Sequence, residues 1–235
     1  MKCDNWKIEG SRGEHIHGTT HEPSGNTKGT ILIGHGFKGY KDYGMFPWLT
    51  QQFAEIGFTA HRFNFSHSGM LDNDGPFERP DLFKQATWNT QVDDLKILCD
   101  NFAIDGVPTI ILGHSRGGVA CLLAAGRGVV KVDGVISLSA PSSCNPLAKE
   151  TQKLLLSQGY FESPSSRTDQ MLYIGSCFLQ EQLDNPHSHD LLHLIGSLSS
   201  PVLVVHGEDD PTVPVDSADE IVRAVQHPTL VRVPN

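Results

Sequence analysis

Apolar residues follow two rhythms along this chain. Short continuous runs bounded by Gly or Pro recur, as at Thr30-Ile31-Leu32-Ile33 and Thr109-Ile110-Ile111-Leu112. Such runs predict strands buried on both faces of a parallel sheet. Further strands are read at 58–65, 135–138, 201–205 and 229–233. Between them run stripes at helical spacing. Phe46, Leu49, Phe53 and Ile56 predict a helix over 46–56, with Pro47 in its first turn and Gly57 just past its end. Trp88, Val92, Leu95, Cys99 and Phe102 predict another over 85–102. A third, over 116–127, is rich in Gly117, Gly118, Ala120, Ala124 and Ala125, small enough to lie close against strands. A fourth is read over 216–225. The first 28 residues read as an edge hairpin, 6–9 against 14–21 about a turn at 10–13. Strand and helix alternate, which predicts an α/β architecture, a mostly parallel sheet wound by right-handed crossovers.

Two stretches break the alternation. Residues 66–84, rich in Ser, Gly, Asp and Pro, read as a loop. Residues 141–198 hold helical pieces near 146–158 and 176–184 that flank a Ser/Pro/Arg/Thr segment at 163–169. That is too long for an ordinary connection. The expected division is a core of 1–140 and 199–235 with an inserted cap at 141–198.

Length and charge then narrow the function classes. The chain has 235 residues, ample for one substantial core. Lys and Arg total 18 against 27 Asp and Glu, a net charge of −9. So acidic a surface argues against nucleic acid or an anionic membrane as partner. No apolar run approaches the roughly 18 residues of a spanning helix, and the N-terminus has no apolar signal region. Five Cys are scattered without C-x-x-C spacing, which suggests free thiols in a reducing, cytoplasmic compartment. No phosphate-cradling glycine loop is present, so no nucleotide cofactor is expected.

The strongest chemical signal is Gly113-His114-Ser115-Arg116-Gly117, set between the strand at 109–112 and the helix at 116–127. A serine in a sharp strand-to-helix turn is lifted clear of the backbone, and flanking side chains larger than Gly would clash. The next amide, that of Arg116, opens the helix and is placed to donate to an oxyanion. A second turn, Gly34-His35-Gly36-Phe37, follows the strand at 30–33.

With these two turns, the chain resembles the α/β-hydrolases. The run Gly34 to Asp42, with Arg62-Phe63-Asn64-Phe65-Ser66 further on, is similar to the dienelactone hydrolase and cinnamoyl-esterase-like branch. The resemblance implies the α/β-hydrolase fold, Ser115 as nucleophile, and the backbone N–H of Phe37 as second oxyanion donor beside that of Arg116. It also implies an acid in Val205-His206-Gly207-Glu208-Asp209-Asp210-Pro211-Thr212-Val213-Pro214, where alignment selects Asp210 over Asp209 and Glu208. The family's catalytic histidine comes after the acid, in the loop following the last strand. Here the sequence ends at Val233-Pro234-Asn235 without one, so a C-terminally truncated hydrolase is the expectation. His227 precedes the last strand, His206 and His35 read as structural, and the His114 side chain is expected to diverge from its neighbour Ser115.

Two histidine groups, His15/His17/His21 and His187/His189/His193, lack a framing Cys or carboxylate at a recognised spacing. They are read as surface histidines and no metal is expected. Asn64-Phe65-Ser66 matches a glycosylation sequon but falls in a core strand. The expected function is a serine hydrolase cleaving a small carboxylic ester or related acyl compound through an acyl-enzyme on Ser115. Thioesterase or peptidase chemistry on the same fold stays open, as does a catalytically inactive binding protein that kept the fold without the base.

Overall fold

The computed structural model describes residues 2–72 and 75–234. Met1, Asn73, Asp74 and Asn235 lie outside the described residues, and with them both outer ends of the expected core and two positions of the expected 66–84 loop. Two strands open the chain, β1 (Lys2–Glu9) and β2 (His15–Glu22). The winding part follows as β3 (Thr30–Gly34), α1 (Phe46–Glu55), β4 (Thr59–Asn64), α2 (Pro80–Gln85), α3 (Trp88–Phe102), β5 (Thr109–His114), α4 (Arg116–Gly126) and β6 (Gly134–Leu138). Then come α5 (Lys149–Gln158), β7 (Tyr160–Ser165), β8 (Gln170–Gly175), α6 (Cys177–Asp184) and α7 (Leu191–Ile195). The chain returns to the sheet with β9 (Val202–Gly207), α8 (Asp216–Ala224) and β10 (Pro228–Val233).

Among the described residues, eight strands form one sheet in the order β1-β2-β4-β3-β5-β6-β9-β10. The β1–β2 and β2–β4 pairs are antiparallel and the rest parallel. The expected mostly parallel α/β sheet is therefore what forms. The strand runs pack on both faces. Leu32, Ile111, Val135, Val202 and Val204 join α3, α4 and α7 in the larger core. Ile31, Ile33 and Leu112 turn to the other face under Phe46 of α1. On that face Ile110, Ile136, Leu138, Leu203 and Val205 are only half-buried, and Val231 and Val233 of β10 are exposed.

Two departures from the sequence reading have local causes. The expected helix at 85–102 begins at Trp88, and the expected loop at 66–84 ends in a separate short helix, α2; between them Thr87 takes an extended conformation as N-cap of α3. There the Thr87 hydroxyl accepts from the Thr90 amide while the Thr90 hydroxyl accepts from that of Thr87, a reciprocal cap that sets where α3 begins. The Ser/Pro/Arg/Thr segment at 163–169 is not a plain spacer. It belongs to the antiparallel hairpin β7–β8, reached through a left-handed Gly159 that ends α5.

The histidines read as surface residues divide. His15, His187 and His193 are exposed, but His17 and His189 are buried. His189 is held by Glu181 at 3.1 Å and by the Asn185 carbonyl at 2.8 Å. No group of three or more His, Cys, Asp or Glu suited to a metal occurs among the described residues. The Asn64 side chain is buried, accepting from the Lys41 amide and donating to the Leu71 carbonyl. All five cysteines are free thiols, and burial pushes those of Cys99 and Cys144 up to about 12. Among the described residues no helix is long and apolar enough to cross a membrane.

Asp94 of α3 ties three elements together. Its carboxylate accepts from the Ser11 amide, the Ser66 amide and the Ser66 hydroxyl. Full burial outweighs these bonds and raises its carboxyl to about 7. The folded protein thus holds a proton that the unfolded chain releases near pH 4, so stability should fall as pH rises from about 4 to about 7. The melting temperature is expected to drop across that interval. Asp94→Asn, which cannot titrate, is expected to flatten the drop, and an unchanged slope would place its origin elsewhere.

Candidate active site

The site forms where the parallel strands end. After β5 the chain reverses at Ser115, whose φ of 52° is in the left-handed region. Such a conformation is unfavourable for a residue with a Cβ and persists only where the surroundings impose it. The surroundings here are tight. The Ser115 amide is fixed by the Leu138 carbonyl at 2.8 Å. A Cβ on Gly113 would stand 2.1 Å from the Gly117 carbonyl oxygen, and one on Gly117 would stand 2.5 Å from that of His35. Both flanking glycines are therefore required by backbone approach.

The turn after β3 lies directly against this elbow. A Cβ on Gly36 would come within 3.1 Å of the Ser115 Cβ. His35 orders the turn from a buried position. Its Nδ1 pairs with the Gly36 carbonyl at 2.9 Å and its Nε2 accepts from the Phe65 amide. Burial lowers its imidazole to about 4, so it is neutral. Among the described residues the Phe37 amide has no acceptor, and the Arg116 amide, at the first position of α4, has none within its helix. The Arg116 side chain runs away from Ser115. Its guanidinium stacks near Phe178 (4.9 Å), Trp88 (5.1 Å) and Phe37 (5.7 Å), with Nε donating to Gln91. Burial draws that guanidinium down to about 10, partly opposed by Glu181 and Cys177.

Asp210 sits in the turn after β9. Its Oδ1 accepts from the Thr212 amide at 2.8 Å and the Val213 amide at 3.0 Å. Burial alone would raise its carboxyl; these amides, with Ser139 and the nearby His206, outweigh it and hold the carboxyl below the usual range. His206 is structural, as its sequence position suggested: its Nε2 pairs with the Val213 carbonyl at 2.9 Å.

Phe37, Ser115 and Asp210 line one cavity of about 460 Å³, within the size range of small-molecule sites. Three of the four residues singled out in the sequence thus share a wall, and the fourth, Arg116, adjoins it through its backbone. Two further lining residues with nitrogen-bearing side chains were not foreseen. His114 also lines the cavity, with its ring centre 6.1 Å from that of Phe46. Its ring lies on the Phe46 side, the side that strand alternation gives it after Leu112, and among the described residues no hydrogen bond joins it to Ser115. Burial, with Arg167 adding to it, lowers the His114 imidazole against the pull of Asp210. Arg167, in the β7–β8 turn, is the other. Nothing in its local sequence links it to a site some fifty residues away in the chain; only the fold of the hairpin brings it there.

Among the described residues no histidine bonds the Ser115 hydroxyl. His227, which the sequence places after Asp210, stands at the start of β10, where its carbonyl accepts from Val202 at the opposite end of the strands.

Comparison with known proteins places the family and the fold. Residues 17–235 match the sequence model of the alpha/beta hydrolase family. No curated protein sequence matches the chain. Among solved structures, Est1E from Butyrivibrio proteoclasticus with bound ferulic acid superposes with a TM-score of 0.76 at 19% identity, over 97% of this chain and 89% of that one. Alpha/beta hydrolase domain-containing protein 10 from mouse gives 0.74 at 20% identity, over 99% and 88%. The esterase domain of a Rhodothermus marinus protein gives 0.68 at 17% identity, over 100% and 88%. At these identities the superpositions speak for the fold.

Proposed function

The chain belongs to the alpha/beta hydrolase family, and on that premise we propose that it is a serine hydrolase acting on a small carboxylic ester or related acyl compound. The observation that carries the reading is the strained Ser115 elbow opening, with Asp210 and the Gly36-Phe37 turn, into a single cavity. Ser115 Oγ attacks the acyl carbon while a base takes its proton. The carbonyl oxygen gathers charge against the amides of Phe37 and Arg116, for which no acceptor is found among the described residues. The C–O bond to the alcohol breaks, the alcohol leaves with a proton, and water then releases the acid from the acyl-enzyme. Asp210 holds and stabilises the protonated base. Residues 141–198 act as the cap, with the β7–β8 turn reaching the cavity.

Among the described residues no histidine is bonded to Ser115 to act as that base. A serine hydroxyl without a base is a poor nucleophile at neutral pH, so this chain should hydrolyse simple esters slowly. Adding a soluble imidazole, small enough for the cavity, should accelerate phosphonylation of Ser115 by a fluorophosphonate. A positioned general base contributes about 10²–10⁴-fold, which is the upper range for that effect. Asp210→Asn should cut the imidazole-dependent labelling rate by about tenfold or more, whereas Asp209→Asn should change it far less. The opposite ranking would shift the acid by one residue.

The second reading, a binding protein that kept the fold without catalysis, is favoured by the unpartnered Ser115 hydroxyl. It predicts no covalent labelling at any imidazole concentration.

A further inference from the structure

We propose that the cavity selects acyl compounds bearing a carboxylate, and that Arg167 is the residue that selects them. This rests on the hydrolase reading for the word "acyl" but not for the anion itself.

Arg167 lines the same cavity as Ser115 and Asp210. Its side chain is exposed and makes two contacts beside the cavity. Nη1 donates to the Lys38 carbonyl at 2.8 Å, and the guanidinium carbon lies 4.1 Å from the centre of the Tyr43 ring. Lys38 in turn donates from Nζ to the Pro164 carbonyl at 2.6 Å. The oxyanion turn and the β7–β8 hairpin are thereby interlocked through two cations. Neither Lys38 nor Arg167 has a carboxylate within ion-pair distance among the described residues. Among the described residues most Lys and Arg have no ion pair, so it is the place of Arg167 in the cavity wall, together with its lack of a carboxylate partner, that marks it for an anion.

The positive charge also reaches the reacting end of the cavity. Burial lowers the His114 imidazole, next to Ser115 in the chain, and after the opposing pull of Asp210 the charge of Arg167 lowers it further. The opposing charge in the cavity is Asp210, whose Oδ1 is already capped by two backbone amides. An ester entering with its carbonyl at Ser115 therefore meets a planar donor fork at Arg167, the geometry that suits a carboxylate. The carboxylate could hang on the acyl part or on the leaving alcohol, and the probes separate these sources.

The test measures binding by ligand-observed NMR to Ser115→Ala protein, so that turnover plays no part. Two pairs of probes differ only in the anion: monomethyl adipate against dimethyl adipate (acyl side) and 4-acetoxybenzoate against its methyl ester (alcohol side). In at least one pair the anion should bind more tightly by about tenfold, the scale of one charge-assisted hydrogen bond. That ratio should collapse toward unity in Ser115→Ala/Arg167→Gln and recover in part in Ser115→Ala/Arg167→Lys. It should persist in Ser115→Ala/Lys153→Gln, which removes an equal charge from the exposed face of α5. Because the ratio compares ligands on one protein, a partly misfolded variant lowers both members together and does not mimic the effect. Equal binding of acid and ester, or a preference untouched by Arg167→Gln, overturns the proposal. Clear anion preference with no fluorophosphonate labelling of Ser115 in the wild-type chain would instead sink the hydrolase reading and leave the anion site standing.

Discussion

Gly117→Ala should cost this protein about 4 kcal/mol or more, the range reserved for substitutions with a severe local cause. The cause is geometric. The new methyl would sit 2.5 Å from the His35 carbonyl oxygen and 2.7 Å from that of Gly34. Those oxygens belong to the end of a core strand and the turn after it and cannot rotate away as a side chain would. Gly113→Ala meets the Gly117 backbone at 2.1 Å and should behave alike. The internal control is Gly128, where φ is +66° and nothing stands within 4 Å of an added Cβ. Gly128→Ala meets only the left-handed backbone penalty, about 1–2 kcal/mol. Urea unfolding of the variants measures the difference. Similar midpoints for Gly117→Ala and Gly128→Ala would show that the elbow relaxes freely, which the close packing against β3 does not allow.

Ser115→Ala should abolish covalent capture by a fluorophosphonate, the largest functional effect expected. In enzymes with a complete triad, removal of the nucleophile costs about 10⁶ in kcat, and removal of the base costs nearly as much, because the members act as one unit. That non-additivity matters here. If Ser115 has no bonded base, as among the described residues, ester hydrolysis is expected near the floor left by the oxyanion amides and binding, about 10³–10⁴ over water. Turnover of wild type and Ser115→Ala should therefore differ little without imidazole, whereas the covalent adduct separates them absolutely. Wild-type protein should gain one phosphonyl group and the variant none, read by intact mass.

The parts of this site that could be read in the sequence share one property: each is a short run whose chemistry needs its neighbours in the chain. Gly113 and Gly117 flank Ser115 because the elbow demands it, and Gly36 precedes Phe37 because the turn touches that elbow. Asp210 follows the end of a core strand by three residues. The apolar runs at 30–33 and 109–112 marked β3 and β5 for the same reason, since a strand buried on both faces leaves no polar position to confuse the pattern. Arg167 is the contrary case. Its place in the cavity is set by the pairing of β7 with β8 and by the hydrogen bond to Lys38, contacts far apart in sequence. Pro164 and the Ser-rich surroundings masked the hairpin. His114 keeps the Phe46 side that strand alternation gives it, and the fold, not the sequence pattern, makes that side a wall of the cavity. Thr87 shows how a cap sets the start of a helix that the apolar stripe alone leaves open by a few residues.

The central claim is that Ser115 is a nucleophile poised in a complete oxyanion and acid framework, waiting on a base. Its most direct test is peptide-level mass spectrometry of the wild-type chain after fluorophosphonate treatment across a series of imidazole concentrations. The account predicts a single modified residue, Ser115, with a labelling rate that climbs as imidazole is added. Modification at another serine, or no modification of Ser115 at any imidazole concentration, would contradict it.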